Sequence, residues 1–466
     1  MSRGSSFSIV LSLLTVLHTA NTHADTIRPE WPESDITDEL QQAIFDAPPA
    51  GRRIILADRD KPYTISRPIV ITQDNVHIMG VTNDDGNDKT VDPPLTLIKA
   101  AKNWSGFTMF FAFLGVKKCS IQDLRINGNA DVQKPRGGQY AILLAGTEKC
   151  LVRNLEMWNV GHSIEHPGGS CVTLTAMEKG EAHAVPRLDR EIFIRTPFGE
   201  KNEGTKYDLR QDDKRSKDNT IARCMFDDLT PNLEMRASFA VRVLTSWWAT
   251  LEHDEYKIFA IGNKVTRNWF EGYYDSALEI GGPGTRHNLV SRNFVRNGFQ
   301  TPIETDKGAS YNDIEYNVVK TNWTLQHTNG ISDDEPRDAR SYPFRDQGFS
   351  KPDVPVRFAR NNRFRWNRAE RVVGRVRKKT GMFLLNRSIN VTLRGNYLGQ
   401  IGKDEGNDAQ MYAVTLDNYV EGSKFNAGTN SLPLRDRHRN KLELFLRLDE
   451  VEVKDLGSAN GFKFRN

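Results

Sequence analysis

Asn263-Lys-Val-Thr-Arg-Asn268-Trp-Phe, Asn288-Leu-Val-Ser-Arg-Asn293-Phe and Asn312-Asp-Ile-Glu-Tyr-Asn317-Val-Val are one phrase written three times. Each holds a short run with apolar residues at alternate positions, bounded by asparagines and followed by an apolar pair. Looser copies are Cys119-Ser-Ile-Gln-Asp123-Leu, Cys150-Leu-Val-Arg-Asn154-Leu, Asn219-Thr-Ile-Ala-Arg-Cys224-Met-Phe, Asn361-Asn362-Arg-Phe and Leu393-Arg-Gly-Asn396-Tyr-Leu. From Asp123 the copies recur after 31, 70, 44, 25, 24, 45 and 34 residues. The bare unit is about 24 residues, and the longer steps of 44, 45 and 70 read as two, two and three units; periods of this size mark a solenoid.

Strands this short cannot make a sheet alone, and no helical crossover separates one unit from the next. Each strand must pair with its copy in the following unit, parallel and in register, which winds the chain into a parallel β-helix with coils about 4.8 Å apart. The recurring asparagine serves such a coil twice. It tolerates the left-handed backbone of a sharp turn, and stacked amides hydrogen-bond along the column. Upstream, Asp35-Ile-Thr-Asp38-Glu-Leu40-Gln-Gln-Ala43-Ile44-Phe-Asp-Ala47 has an N-cap aspartate, acids in its first turn and an apolar stripe through Ile36, Leu40, Ala43/Ile44 and Ala47. That pattern predicts a helix closing the N-terminal end of the stack.

The repeats resemble those of the right-handed β-helix superfamily typified by pectate lyases, over residues 50 to 450. The expected fold class is all-β: a single-domain right-handed parallel β-helix solenoid with an N-terminal capping helix. Residues 25–50 form the cap region and 51–466 the coils, with long loops at 178–218 and 326–355 that break the period and would wall a groove. Residues 1–24 run from Arg3 through an apolar stretch, Phe7 to Leu17, to small residues before Asp25. This is the order of a cleavable secretory signal, so the expected location is secreted or periplasmic.

The 466 residues are 38% hydrophobic and 27% charged, which excludes a disordered or collagen-like chain. No apolar run is long enough for a membrane span. Four cysteines are too few to frame a disulfide scaffold. Cys119 and Cys150 occupy the same place in neighbouring units, within disulfide reach, although an inward ladder of free thiols is the preferred reading. The net charge of +4 hides a basic stretch, because residues 357–396 hold twelve Lys and Arg against one acid, Glu370. Arg363-Phe-Arg365-Trp and Arg375-Val-Arg377, with Lys379, alternate so that a strand would carry cations on one face. An outward guanidinium stripe binds anions. For an exported chain without a nucleic-acid motif, the expected partner is an acidic polysaccharide or oligosaccharide, not nucleic acid.

The repeat also serves as a ruler. Glu279 lies eleven residues after Asn268, and Glu304 eleven after Asn293, so the two acids should stack in adjacent coils. Carboxylates that close must share a proton, meet a cation or bind a metal. Asp306 follows on the same face, with Lys307 next to it and Arg286 near the matching turn one coil earlier. These five are the candidate catalytic residues, and Glu279 with Glu304 the candidate metal ligands. Trp247, Trp248, Tyr273 and Tyr274 lie close by in sequence and suit the flat faces of sugar rings. His253, His287 and His327 are candidate proton carriers. His162 and His166 have no metal-binding geometry on a strand.

Ala277-Leu-Glu279-Ile-Gly through Asn293-Phe-Val and Glu304-Thr-Asp306-Lys307-Gly resembles coils of the chondroitinase B and alginate lyase family. There a calcium-binding Glu precedes a catalytic Lys and, one coil later, a catalytic Arg. The Glu carries over to Glu279; the second Glu of that family falls on Ala277, its Lys near Pro283 to Arg286, and its Arg near Thr305 to Lys307. The resemblance implies Ca2+ and β-elimination of a uronate polymer. Asn268-Trp-Phe-Glu-Gly-Tyr-Tyr, with the following Glu279, is loosely similar to inulin fructotransferases, which use a carboxylate pair. Two chemistries follow. In one, a lyase neutralises the C5 carboxylate and removes the adjacent proton, with Lys307 or Arg286 as base or neutraliser. In the other, a retaining glycosidase or fructosyl transferase uses Glu279 with Glu304 or Asp306. Basic surroundings favour the lyase; a non-catalytic glycan-binding protein is the third alternative.

Overall fold

A computed structural model describes residues 24–425 apart from 32–33, 84–91, 103–107, 134–138, 162–168, 177–214, 228–238, 246–258, 272–275, 297, 300, 324–341, 352–353, 375–378, 404–409 and 422–423. Residues 1–23, nearly all of the stretch expected to be a secretory signal, and most of both long loops lie outside the described residues. So do Trp247, Trp248, Tyr273, Tyr274, Arg375, Arg377, His162, His166, His253 and His327.

The short strands do pair with their copies. Lys264–Thr266 lies in parallel register between Thr220–Ala222 and Leu289–Ser291, and the series continues through Asp313–Glu315, Arg363–Arg365 and Thr392–Arg394. A second series runs through Met225–Asp227, Trp269–Glu271, Phe294–Arg296, Val318–Trp323 and Arg368–Gly374. A third face is an 11-stranded sheet that includes Phe239–Leu244, Ser276–Gly281, Ile303–Asp306 and Phe344–Gln347. Crossovers between parallel strands wind right-handed, and these three faces enclose one interior lined by residues such as Leu278, Ile280, Ile303 and Phe344.

Register changes the reading of the repeat in two ways. Leu151–Trp158 pairs directly with Thr220–Ala222 and Met225–Asp227, and those strands pair directly with the coil at 264–271. The long steps are therefore single coils carrying insertions, because coil spacing constrains only the strands. Moreover, the turn residue in the left-handed region is the one before the asparagine: Arg267, Arg292, Tyr316 and Trp366 have φ of 57°, 56°, 55° and 54°. Asp123 and Asn154 occupy that position in their own coils, one residue before the ladder, and are themselves left-handed.

The second role read for asparagine is the one the later coils use. Asn219, Asn263, Asn288, Asn312 and Asn362 form one buried column, and Asn268, Asn293, Asn317, Asn367 and Asn396 a parallel one. Each Nδ2 donates to the next Oδ1, as in Asn268 to Asn293 and Asn293 to Asn317, both at 3.0 Å. The same Oδ1 accepts the backbone N–H of the preceding asparagine, and the second Nδ2 hydrogen reaches a backbone carbonyl. Only a side chain with both donor and acceptor closes this circuit. Towards the N-terminus thiols take over: Cys150 and Cys224 donate their backbone N–H groups to Asn219 and Asn268. Cys119, Cys150, Cys171 and Cys224 are buried free thiols, as the ladder reading expects.

Helix α1 (Thr37–Phe45) lies at the start of the stack with Ile36, Leu40 and Ile44 buried in the core. The Asp35 carboxylate accepts from the Thr37 N–H at 3.1 Å, one residue ahead of the N-cap position. Gln41 is buried, and its amide donates to Val70 O and accepts from Val70 N at 2.9 and 2.8 Å.

Candidate active site: a six-member charge cluster

In the strand Ser276–Gly281, Leu278 and Ile280 enter the core, so Glu279 points to the outer side. The same alternation places Glu304 and Asp306 outward from Ile303–Asp306. Register sets Glu279 beside Glu304 and Gly281 beside Asp306, as the ruler predicted. It also brings two residues the ruler did not reach: Arg242 lies beside Glu279 on one side, and Arg345 beside Glu304 on the other. The column thus reads Arg242, Glu279, Glu304, Arg345, alternating in sign at its ends.

Glu279 is 1% exposed, and both its oxygens are engaged. Arg242 Nε lies 2.5 Å from Oε2 and Lys307 Nζ 2.9 Å from Oε1. Lys307 also faces Asp306 Oδ2 at 3.4 Å. Glu304, 3% exposed, accepts from Ser276 Oγ at 2.7 Å and from the Arg345 guanidinium. Gly281 makes the arrangement possible, since a Cβ there would stand 2.9 Å from Glu279 Oε1 and 2.8 Å from Leu244 Cδ2.

These surroundings push the two stacked acids apart. Burial alone would raise Glu279, but the charges of Arg242 and Lys307 override it and hold the carboxyl down to about 2. Burial also raises Glu304; Arg345 opposes this, whereas Asp306 and Glu279 add to it, and the result is about 7. For Lys307, burial works against the charged form and is overcome by Glu279 and Asp306, so the ammonium is held more firmly than usual. Two carboxyls with separated proton affinities can divide acid–base work between them. Solvent reaches the cluster at its cations: the Lys307 and Arg345 side chains are 36% and 21% exposed. Arg345 Nε has no acceptor among the described residues.

The other predicted site residues lie elsewhere. Arg286 does not join the acids: it donates to Pro283 O and lies over the Phe259 ring, because the turn after Gly282 carries it to a different face. Arg363 and Arg365 are not a free cationic stripe, since Asp313 and Glu315 sit in register on the preceding coil and pair with them at 2.5 to 3.0 Å. Lys379 opens the strand Lys379–Ile389. His287 stacks on Tyr311.

The calcium site implied by the family resemblance does not fit the residues present. Glu279, Glu304 and Asp306 have ligand atoms within 4.8 Å of one another. However, Arg242, Lys307 and Arg345 already neutralise them, and a dication would have to displace guanidinium and ammonium groups from paired oxygens.

No family model and no curated protein matches the sequence. Among solved structures the chain is similar to the A-module of the Azotobacter vinelandii mannuronan C-5 epimerase AlgE6, with 12% identity over 86% of this chain and 93% of that one and a TM-score of 0.46. It is also similar to an alginate lyase from Paenibacillus sp. str. FPU-7, at 12% identity over 84% and 99% with a TM-score of 0.39. Endo-xylogalacturonan hydrolase from Aspergillus tubingensis gives 10% identity over 94% and 98% with a TM-score of 0.47. No residue role is carried over from these. Parallel coils in continuous register, two asparagine ladders inside them and a helix across the first rung give the chain the fold of a right-handed parallel β-helix.

Proposed function

We propose that this is an exported carbohydrate-active enzyme that cleaves an acidic, uronate-containing polysaccharide by β-elimination at the Glu279–Glu304 cluster. The observation that carries the reading is the layering of charge. The acids are buried and the solvent-facing members are cations, so an anionic sugar meets Lys307 and Arg345 first. Arg345, whose side chain is 21% exposed, suits the C5 carboxylate, and neutralising that group acidifies the C5 proton. Glu304, poised at about 7, accepts the proton. As the C5–H pair forms the C4=C5 double bond, the C4–O4 bond breaks towards oxygen, and Lys307 carries a proton for the leaving group. Lys307 is the proton donor and not the base, because two acids hold its charge.

The separated carboxyls also support a second reading, retaining hydrolysis or transfer with Glu304 as acid and Glu279 as nucleophile. Incubation with alginate, pectate, glycosaminoglycans and inulin distinguishes the two. Elimination yields an unsaturated, ultraviolet-absorbing product that Glu304→Gln abolishes. New reducing ends without that absorbance, or turnover of neutral fructan alone, refute the lyase. A binding protein would keep its polymer affinity in a folded Glu279, Glu304 and Lys307 triple variant.

A further inference from the structure

The turn before the second asparagine ladder carries side chains that the turn itself does not need. Its left-handed backbone favours Gly, Asn or Asp, and Asp123 and Asn154 fill it in the early coils. Later coils place Arg223, Arg267, Arg292, Tyr316 and Trp366 there, all with φ of 54° to 57°. Strained positions given to bulky, functional side chains point to a use for them. This placement also departs from the strand alternation read in the sequence: Phe364 is buried, but Trp366, at the turn, is 39% exposed.

Along the corner the column passes from cations to aromatics. Arg267 and Arg292 are exposed and have no ion-pair partner among the described residues. Tyr316, 45% exposed, stacks on Trp366 with centroids 5.0 Å apart and planes 15° from parallel. Two residues beyond the arginines, Trp269 and Phe294 pack together at 4.3 Å, with Trp269 39% exposed. Gly395 keeps the outer aromatic flat, because a Cβ there would lie 2.4 Å from the Trp366 ring.

We infer that this corner is a second saccharide-binding surface, separate from the acid cluster, on which an anionic glycan lies along the coil axis. Carboxylates of the chain meet Arg267 and Arg292, and the apolar faces of its sugars lie against the exposed edges of the stacked Tyr316, Trp366 and Trp269 rings. The proposal rests on the acidic-polysaccharide reading above, but not on the chemistry assigned to Glu304. The corner belongs to a different sheet from Ser276–Gly281, so it would anchor polymer without touching the reacting bond.

The test is binding of alginate, polygalacturonate and dextran by affinity electrophoresis and tryptophan fluorescence, using the full chain. Tyr316→Asn/Trp366→Asn keeps the turn's backbone preference, and Arg267→Gln/Arg292→Gln removes only charge. Each pair should weaken uronate-polymer binding about tenfold or more, with unfolding midpoints retained and dextran unbound throughout. If that pattern holds while no unsaturated product forms, the lyase reading fails and this one stands. Unchanged polymer binding in the Asn pair, equal binding of dextran, or preferential binding of an oligothymidylate lost in the same variants would overturn the inference.

Discussion

Replacing Glu279 by Gln removes one charge from a cluster in which two cations depend on it. Arg242 is 6% exposed at its side chain and donates from Nε to Glu279 Oε2, so Glu279→Gln takes this carboxylate away from a buried guanidinium. Lys307, at 36%, turns to solvent or to Asp306 at little cost. Breaking a buried pair from one side costs about 3–5 kcal/mol, and the Arg242 half alone places Glu279→Gln in that range. A second consequence is electrostatic. Glu279 is one of the charges that raise Glu304, so its removal should lower the Glu304 titration below its present value of about 7. Urea unfolding of wild type, Glu279→Gln, Arg242→Met and the double variant gives the coupling. The double variant should recover part of the loss, since the guanidinium that faced the lost carboxylate is gone as well. A carbon-13 or infrared titration of the Glu304 carboxyl follows the second effect. If Glu279→Gln unfolds within about 1 kcal/mol of wild type, or if the double variant is less stable than both singles, the pairing of Arg242 with Glu279 is not what holds this face together.

Four further outcomes follow from the same structure. Asn293→Ala leaves the Asn268 N–H and one Asn268 Nδ2 hydrogen without their acceptor, for a loss of about 2–6 kcal/mol in denaturant unfolding; exposed Arg292→Ala, one residue away, should cost almost nothing. Glu304 is raised from 4.5 to about 7 in the folded chain, so its contribution is fully present below pH 4.5 and fades as pH rises through 7; Glu304→Gln should flatten this part of the stability profile. Glu279 has the opposite sign: its contribution is present above pH 4.5 and fades as pH falls towards 2, a slope absent in Glu279→Gln. Chelation with EDTA should move neither unfolding midpoint nor polymer turnover, because arginine and lysine occupy the carboxylates; a large drop in either, restored by Ca2+, would contradict that.

The coil and the Glu279–Glu304 stack were legible because consecutive units of 25 and 24 residues have no insertion between ladder and acid, so equal offsets give equal height. Arg242 and Arg345 were not, because each lies beyond an insertion of its own length and counting fails across it. Arg286 was misplaced for a local reason: Gly282, at φ of 89°, redirects the chain before it. Likewise Trp366 broke period two, since a left-handed turn residue keeps no alternation with the strand before it. The cationic stripe looked free because sequence shows only one coil at a time, whereas Asp313 and Glu315 neutralise it from the preceding one.

Gln41 bears on solubility. The first strand of the 11-stranded sheet would otherwise offer its open N–H and C=O groups to any extended peptide, including another molecule's last coil. A single primary amide occupies both groups of Val70, imitating the missing strand with a side chain that cannot itself be extended. Polymerisation end to end is thereby blocked at one rung, by a residue whose loss would be felt as aggregation long before it was felt in the shape of the monomer.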